Sequence, residues 1–388
     1  MISKNCRGER LGWKRVTAVL AVVLFVMGFT AWPLVRAHLQ AIAVLKLVSG
    51  QPLPKLLRAV TEEKVESKEI EFPAGGVMIR ARMYNSQKQL HAPALMVLHG
   101  VHHLGMNEPR LMSFATAMAS CGLQVLTPEL PNIKDYHIDA NSERTIAESA
   151  RWFATQTGGP VGVMGLSFSG GLALVAAADP MYQPSFKFVL AVGSQDQMSR
   201  VAQYYLTGRE LRPDGTVEEL SPHEYGALVL EYEHLDDFVP ASDVAAVRSV
   251  LREHLYENRQ AELGAMNQAT MTQRAEAIAL MDTNSSKTRS KLANVEVIRL
   301  KEMAGLSPHG ILKTMTTPVY LLHGEADNII PSAETLWMAN ELPETTLRAA
   351  LVTPVLSHLD LDSAKPGIWD EFKLVHFFAL VMHAATGN

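Results

Sequence analysis

What the chain lacks narrows its chemistry first. It has no Walker loop and no Gly-x-Gly-x-x-Gly spacing at a strand-to-helix turn, so nothing in it would lay a backbone against a nucleotide pyrophosphate. No basic tract occurs, and a formal net charge of -5 argues against nucleic acid as a partner. No His-Glu-x-x-His element is present, which removes that zinc pattern. Cysteine is limited to Cys6 and Cys121, on either side of a long apolar run. No disulfide can therefore form within the part that follows the run, and cysteine pairing does not diagnose the compartment. Cys6 precedes the run, whereas a lipoprotein cysteine would follow one. What remains is ordinary globular composition, 19% charged and 47% hydrophobic over 388 residues, enough for one large α/β domain with an insertion.

The apolar run extends from Val16 to Val35 without a charge. About twenty residues at about 1.5 Å each can cross a hydrocarbon core. Lys4, Arg7, Arg10, Lys14 and Arg15 precede it, so the N-terminus is expected in the cytoplasm and the rest outside, although Arg36, Lys46, Lys55 and Arg58 reduce the asymmetry. The run is longer than the roughly 7–15 residues of a signal-peptide core. The nearest Ala-x-Ala, Ala41-Ile42-Ala43, lies beyond it and beyond Arg36. A retained anchor is expected, the alternative being a cleaved signal and a secreted form starting near Val44. The chain then divides into a basic N-terminus (1–15), a transmembrane anchor (16–35) and a stalk or linker (36–68), of which Ala37 to Val60 is either a helical stalk or membrane-surface segment or a linker packed against the domain.

Beyond residue 68, apolar strands alternate with helices, the pattern of a mostly parallel sheet covered on both faces. Glu69 to Pro73 and Val77 to Tyr84 flank Gly75-Gly76 and read as an antiparallel hairpin. Strands follow at Ala94 to Leu98, Leu123 to Thr127, Val161 to Met164 and Phe186 to Val192, with helices near Glu108 to Ser120 and Ser142 to Gln156. Strand signals then fail between Ser194 and Pro318, where helix formers and charges dominate. A structureless loop of that length is implausible in a compact domain. Pro318 to Gly324 and Thr346 to Val355 resume the strands, and Ser332 to Glu341 and Lys365 to Ala384 read as helices.

The chemistry centres on Gly165-Leu166-Ser167-Phe168-Ser169-Gly170-Gly171, between a buried strand and a helix of small residues. A serine on a sharp turn needs small neighbours two residues away on each side, and Gly165 and Ser169 supply them. The arrangement resembles the nucleophile elbow of α/β-hydrolase fold serine hydrolases, in which the second small position is usually glycine. Downstream order follows the resemblance, with Asp327 in the loop after one strand and His358 in the loop after the last. The resemblance therefore implies a triad of Ser167, His358 and Asp327. Glu325 and Asp196, the latter after Phe186 to Val192, compete for the acid role. Asp360 and Asp362 stand too close to His358 along the chain to orient its ring.

The same resemblance places oxyanion donors at the amides of Phe168 and of Val101, in His99-Gly100-Val101-His102-His103. His99, His102 and His103 are candidates for loop hydrogen bonds or substrate contacts. They are not read as metal ligands, because adjacent side chains diverge in an extended segment. No cofactor is expected. The implied fold is an eight-stranded, mostly parallel sheet with helices on both faces, preceded by the transmembrane helix. Its core would be residues 69–196 and 313–388, with a helical cap at 197–312 whose mobile tip is Asp282 to Ser290. The implied activity is hydrolysis of a small or lipid-like carboxylic ester at the membrane. Alternatives are a peptidase, thioesterase or acyltransferase on the same fold, or a tethered binding protein without activity.

Overall fold

The computed structural model describes residues 31–61, 64–86, 92–282, 285–356 and 367–387. Two strands open the sheet, β1 (Val65–Ala74) and β2 (Val77–Ser86), paired antiparallel through Gly75 and Gly76. Both glycines have positive φ, 62° and 79°, as a two-residue primed hairpin turn requires. Next come β3 (Ala94–Leu98), β4 (Gln124–Pro128), β5 (Val161–Leu166) and β6 (Phe186–Val192). A short hairpin, β7 (Arg209–Leu211) and β8 (Val217–Glu219), interrupts before β9 (Val319–Gly324) and β10 (Leu347–Thr353). The main sheet has eight strands in the order β1-β2-β4-β3-β5-β6-β9-β10, and β2 alone runs against the others.

Every side chain of β3 and of β9 is buried, as expected for parallel strands covered on both faces. Alternation sends Met96 and Leu98 to one cluster and Leu95 and Val97 to the other. The first helix, α1 (Ala31–Val48), packs on the second of these faces with α2 (Pro109–Ser120). The opposite face carries α3 (Ala140–Thr157) and α4 (Phe168–Ala178). A cap leaves the core after β6 and returns before β9. It contains α5 (Met198–Thr207), the β7–β8 hairpin, α6 (Glu224–Glu233), α7 (Val244–Leu255), α8 (Arg259–Gln268), α9 (Met271–Met281) and α10 (Ser286–Gly305). Then α11 (Ala333–Glu341) follows β9, and α12 (Ile368–Thr386) joins α1 and α2 on their face.

Two expectations need correction. The start of the 36–68 segment is not a free stalk but packs against the domain, the other reading offered for it, because Ala37, Ala41, Ala43 and Val44 of α1 are buried in the same cluster as Met118 and Phe378. The side-chain amide of Gln40 also donates to the Cys121 carbonyl at 2.6 Å. Small residues at i, i+4 and i+7 give this helix a flat face that lies close on the core. Asp282 to Ser290 is not a turn-rich tip throughout. Ser285 caps α10 by accepting from the Thr288 amide at 3.1 Å, and residues 286–290 are already helical. Of the anchor expected at 16–35, only residues 31–35 are described; they are exposed.

Candidate active site

A sheet ordered β1-β2-β4-β3-β5-β6-β9-β10 with the second strand reversed is that of the α/β-hydrolase fold, and this chain has that fold. Ser167 occupies the turn between β5 and α4 with φ 55° and ψ −137°, a backbone region that non-glycine residues rarely adopt. Crowding holds it there. A Cβ on Gly165 would lie 2.4 Å from the Gly170 Cα, and one on Gly170 would lie 2.0 Å from the Ser194 Oγ, so strand and helix meet where no side chain fits. The Ser167 amide donates to the Val192 carbonyl at 2.8 Å, fixing the turn to the end of β6.

Ser169 does more than stay small. Its hydroxyl donates to the His99 carbonyl at 2.6 Å and ties the elbow to the loop after β3. The His99 ring holds the same loop, with Nε2 accepting from the Leu130 amide at 2.9 Å and Nδ1 2.8 Å from the Gly100 carbonyl. Burial pushes this ring down to about 4, so it is neutral near pH 7. A third restraint comes from the cap, where the Tyr225 hydroxyl donates to the Val101 carbonyl at 2.6 Å. Phe168 is the first residue of α4, where an amide has no intrahelical partner. The positive end of the helix dipole adds to it there.

The three histidines separate by role. His99 uses both nitrogens on backbone and anchors the loop, and it also borders the cavity. His102 borders the cavity next to Ser167. His103 packs against Tyr256, with ring centroids 4.8 Å apart. The rings of His102 and His103 do not diverge as an extended segment would have them; the loop turns, and they stack at 4.6 Å.

Asp327 follows β9 at the same edge of the sheet and is buried. Its Oδ1 accepts from the amides of Ile329 and Ile330 at 2.9 and 3.0 Å, and His323 Nε2 lies 3.3 Å from its Oδ2. Asp196 is engaged elsewhere. Arg200 donates to it at 2.6 Å, and His309, where the cap rejoins the core, lies 3.1 Å away through its ring and donates its amide to the Asp196 carbonyl. Burial and the neighbouring Glu334 raise the Asp196 carboxyl to about 6. With Glu341, Asp196 and His309 form the one described His/acid group within metal-binding reach, but Arg200 already occupies Asp196 and the Gly310 amide Glu341. His358, Asp360 and Asp362 lie outside the described residues.

A cavity of about 330 Å³ opens at Ser167, within the size range of small-molecule sites. Val101 and Phe168 border it, the cap contributes Tyr225 and Glu257, and α1 contributes Leu45 and Val48. The contributions of Tyr225 and of α1 were not apparent in the sequence. A tyrosine in a helical insertion carries no local sign of its target, and the alanine-rich face of α1 resembles a linker.

No protein-family model and no curated protein matches the chain. Solved structures of similar shape include the acylaminoacyl peptidase of Pyrococcus horikoshii, at 13% identity and TM-score 0.46, covering 76% of this chain. The match spans only 38% of that peptidase. A candidate lipase from Acinetobacter baumannii AYE gives 14% identity and TM-score 0.45, covering 83% of this chain and 93% of that one. The 2-hydroxy-6-oxo-6-phenylhexa-2,4-dienoate hydrolase (BphD) of Rhodococcus sp. strain RHA1 gives 17% and 0.40, covering 80% and 97%. These likenesses concern fold alone.

Proposed function

We propose that this chain is a membrane-anchored serine hydrolase of carboxylic esters. The observation that carries the reading is Ser167 itself, held at φ 55° on a crowded turn, beside the first amide of α4 and at the wall of a cavity. Strained backbone positions of this kind cluster at active sites, which supports a catalytic task for Ser167. In the proposed reaction His358 takes the Ser167 proton as Oγ attacks the ester carbonyl. The amides of Val101 and Phe168 stabilise the oxyanion, and Asp327 holds the imidazolium. His358 then returns the proton to the departing alcohol. Water, activated by the same ring, releases the acid and restores Ser167. The two amides on Asp327 Oδ1 hold the carboxylate in place while Oδ2 stays on the other side of the group, which suits a residue that orients a ring.

The membrane part of the reading draws support from α1. Cleavage after Ala43 would cut inside a helix in which Ala41, Ala43 and Val44 are fully buried, so a retained N-terminus suits the core better than a mature form starting near Val44. The basic residues before the apolar run favour a catalytic domain outside the cytoplasm. Labelling by a fluorophosphonate probe, together with hydrolysis of p-nitrophenyl esters, tests the activity. Both should be present in the full-length chain and lost in Ser167→Ala; labelling that persists in the variant would remove Ser167 from the mechanism.

A further inference from the structure

The cavity at Ser167 has two unlike sides. On the face of the sheet that carries α1, its wall includes Leu45 and Val48 of α1, Phe114 of α2 and Phe378 of α12, none with a polar side-chain atom. Toward the cap it presents Tyr225 and Glu257. Glu108 and Arg110, also in the wall, pair with each other at 2.7 Å. Ser167 sits at the edge of the sheet that separates the two hydrophobic clusters, at the end of the inner strand β5. A methylene chain on the α1 side would be buried against aliphatic and aromatic surface and would leave no polar group unpaired. A hydroxylated or charged chain would lose its hydration against Leu45, Val48, Phe114 and Phe378, which offer it no partner, and the Glu108 and Arg110 side chains at the start of α2 already pair with each other. The polar side suits the alcohol, which departs carrying a proton.

α1 is also continuous with the apolar N-terminal run. Residues 31–36 are exposed, the helix reaches the core at Ala37, and its last two turns form the cavity wall. The helix that begins within the run expected to hold the chain at a membrane thus also lines the site. Resting on the serine-hydrolase reading for its chemistry, we propose that α1 is a wall of the substrate site and that the ester bound there carries a linear aliphatic acyl chain lying between α1 and the sheet.

The test uses the full-length chain in nanodiscs and p-nitrophenyl esters from acetate to dodecanoate. In the wild type, kcat/KM should rise roughly fourfold per added methylene until the chain meets the wall. Leu45→Trp and Val48→Trp should each lower the octanoate-to-acetate ratio of kcat/KM at least tenfold, and Val48→Ala should move the preferred chain to greater length. Opposite shifts from filling and emptying one wall cannot both come from misfolding. Ratios that stay at the wild-type value in all three variants overturn the proposal. A second measurement does not need turnover: displacement of 1-anilinonaphthalene-8-sulfonate by octanoate in Ser167→Ala. If no ester is hydrolysed but octanoate displaces the dye and Leu45→Trp abolishes this, the hydrolase reading fails and the aliphatic site stands. If octanoate does not displace it, or does so equally in Leu45→Trp, the site fails whatever becomes of the hydrolase reading.

Discussion

Ser167 adopts a φ and ψ that cost a non-glycine residue about 1–3 kcal/mol, so the turn is a place where stability and the proposed activity oppose each other. Ser167→Gly should be as inactive as Ser167→Ala yet more stable by about 1 kcal/mol, since glycine meets the strain without a Cβ. Thermal denaturation of the two variants side by side checks this, and an alanine variant equal to or above the glycine one would mean that the turn is not strained. Tyr225 offers a second test. Its hydroxyl fixes the Val101 carbonyl, and the amide of the same residue is a proposed oxyanion donor. Tyr225→Phe should lower kcat about tenfold and change KM little, because such donors act on charge that develops in the transition state. Loss of substrate binding alone would instead raise KM at constant kcat. For the acid, Asp327→Asn should keep its Oδ1 bonds to Ile329 and Ile330, and hence the fold, while kcat falls by about 10⁴. Asp196→Asn should disturb the root of the cap through Arg200 and His309 rather than the chemistry. A dead Asp196→Asn beside a nearly normal Asp327→Asn would transfer the acid role to β6.

At the scale of the element, the loop after β3 is held by Ser169, by the neutral ring of His99 and by Tyr225. Because burial lowers His99 from 6.5 to about 4, the unfolded chain binds a proton in that interval that the folded chain does not. Stability from this group is fully present above pH 6.5 and is lost as pH falls toward 4, by about 3 kcal/mol in all. His99→Gln can still accept from the Leu130 amide, and it should flatten that part of the stability-against-pH curve measured in urea. An unchanged slope would mean that the ring protonates in place.

The same scale shows what the sequence made readable. β3 and β6 stand out because a parallel strand buried on both faces needs an unbroken apolar run, and Ala94 to Leu98 and, after Lys187, Phe188 to Val192 are such runs. The elbow is equally plain, since Gly165 is demanded by contacts local to the turn, with Ser169 and Gly170. β7 and β8 left no trace, three residues being too few for alternation to register. α1 and Tyr225 were illegible for another reason. What each does is decided by surfaces far along the chain, Met118 and Phe378 for the helix and Val101 for the tyrosine.

At the scale of the whole molecule, the apolar run proposed as an anchor ends, and the packed domain begins, inside α1. A cut at residue 60 spares every strand of the sheet but removes Ala37, Ala41, Ala43 and Val44 from the core and Leu45 and Val48 from the cavity. Burial of Val44 alone represents about 1.5–3 kcal/mol, and the surface left bare on α2 and α12 would be apolar. A chain starting at residue 31 keeps all of these contacts. It should be soluble, monodisperse and as active toward p-nitrophenyl acetate as the full-length protein, whereas a chain starting at residue 61 should aggregate or unfold at lower temperature. Size-exclusion chromatography and thermal denaturation of the two truncations decide the matter. If the shorter chain matches the longer in both melting temperature and activity, α1 is an appendage and the domain begins at β1.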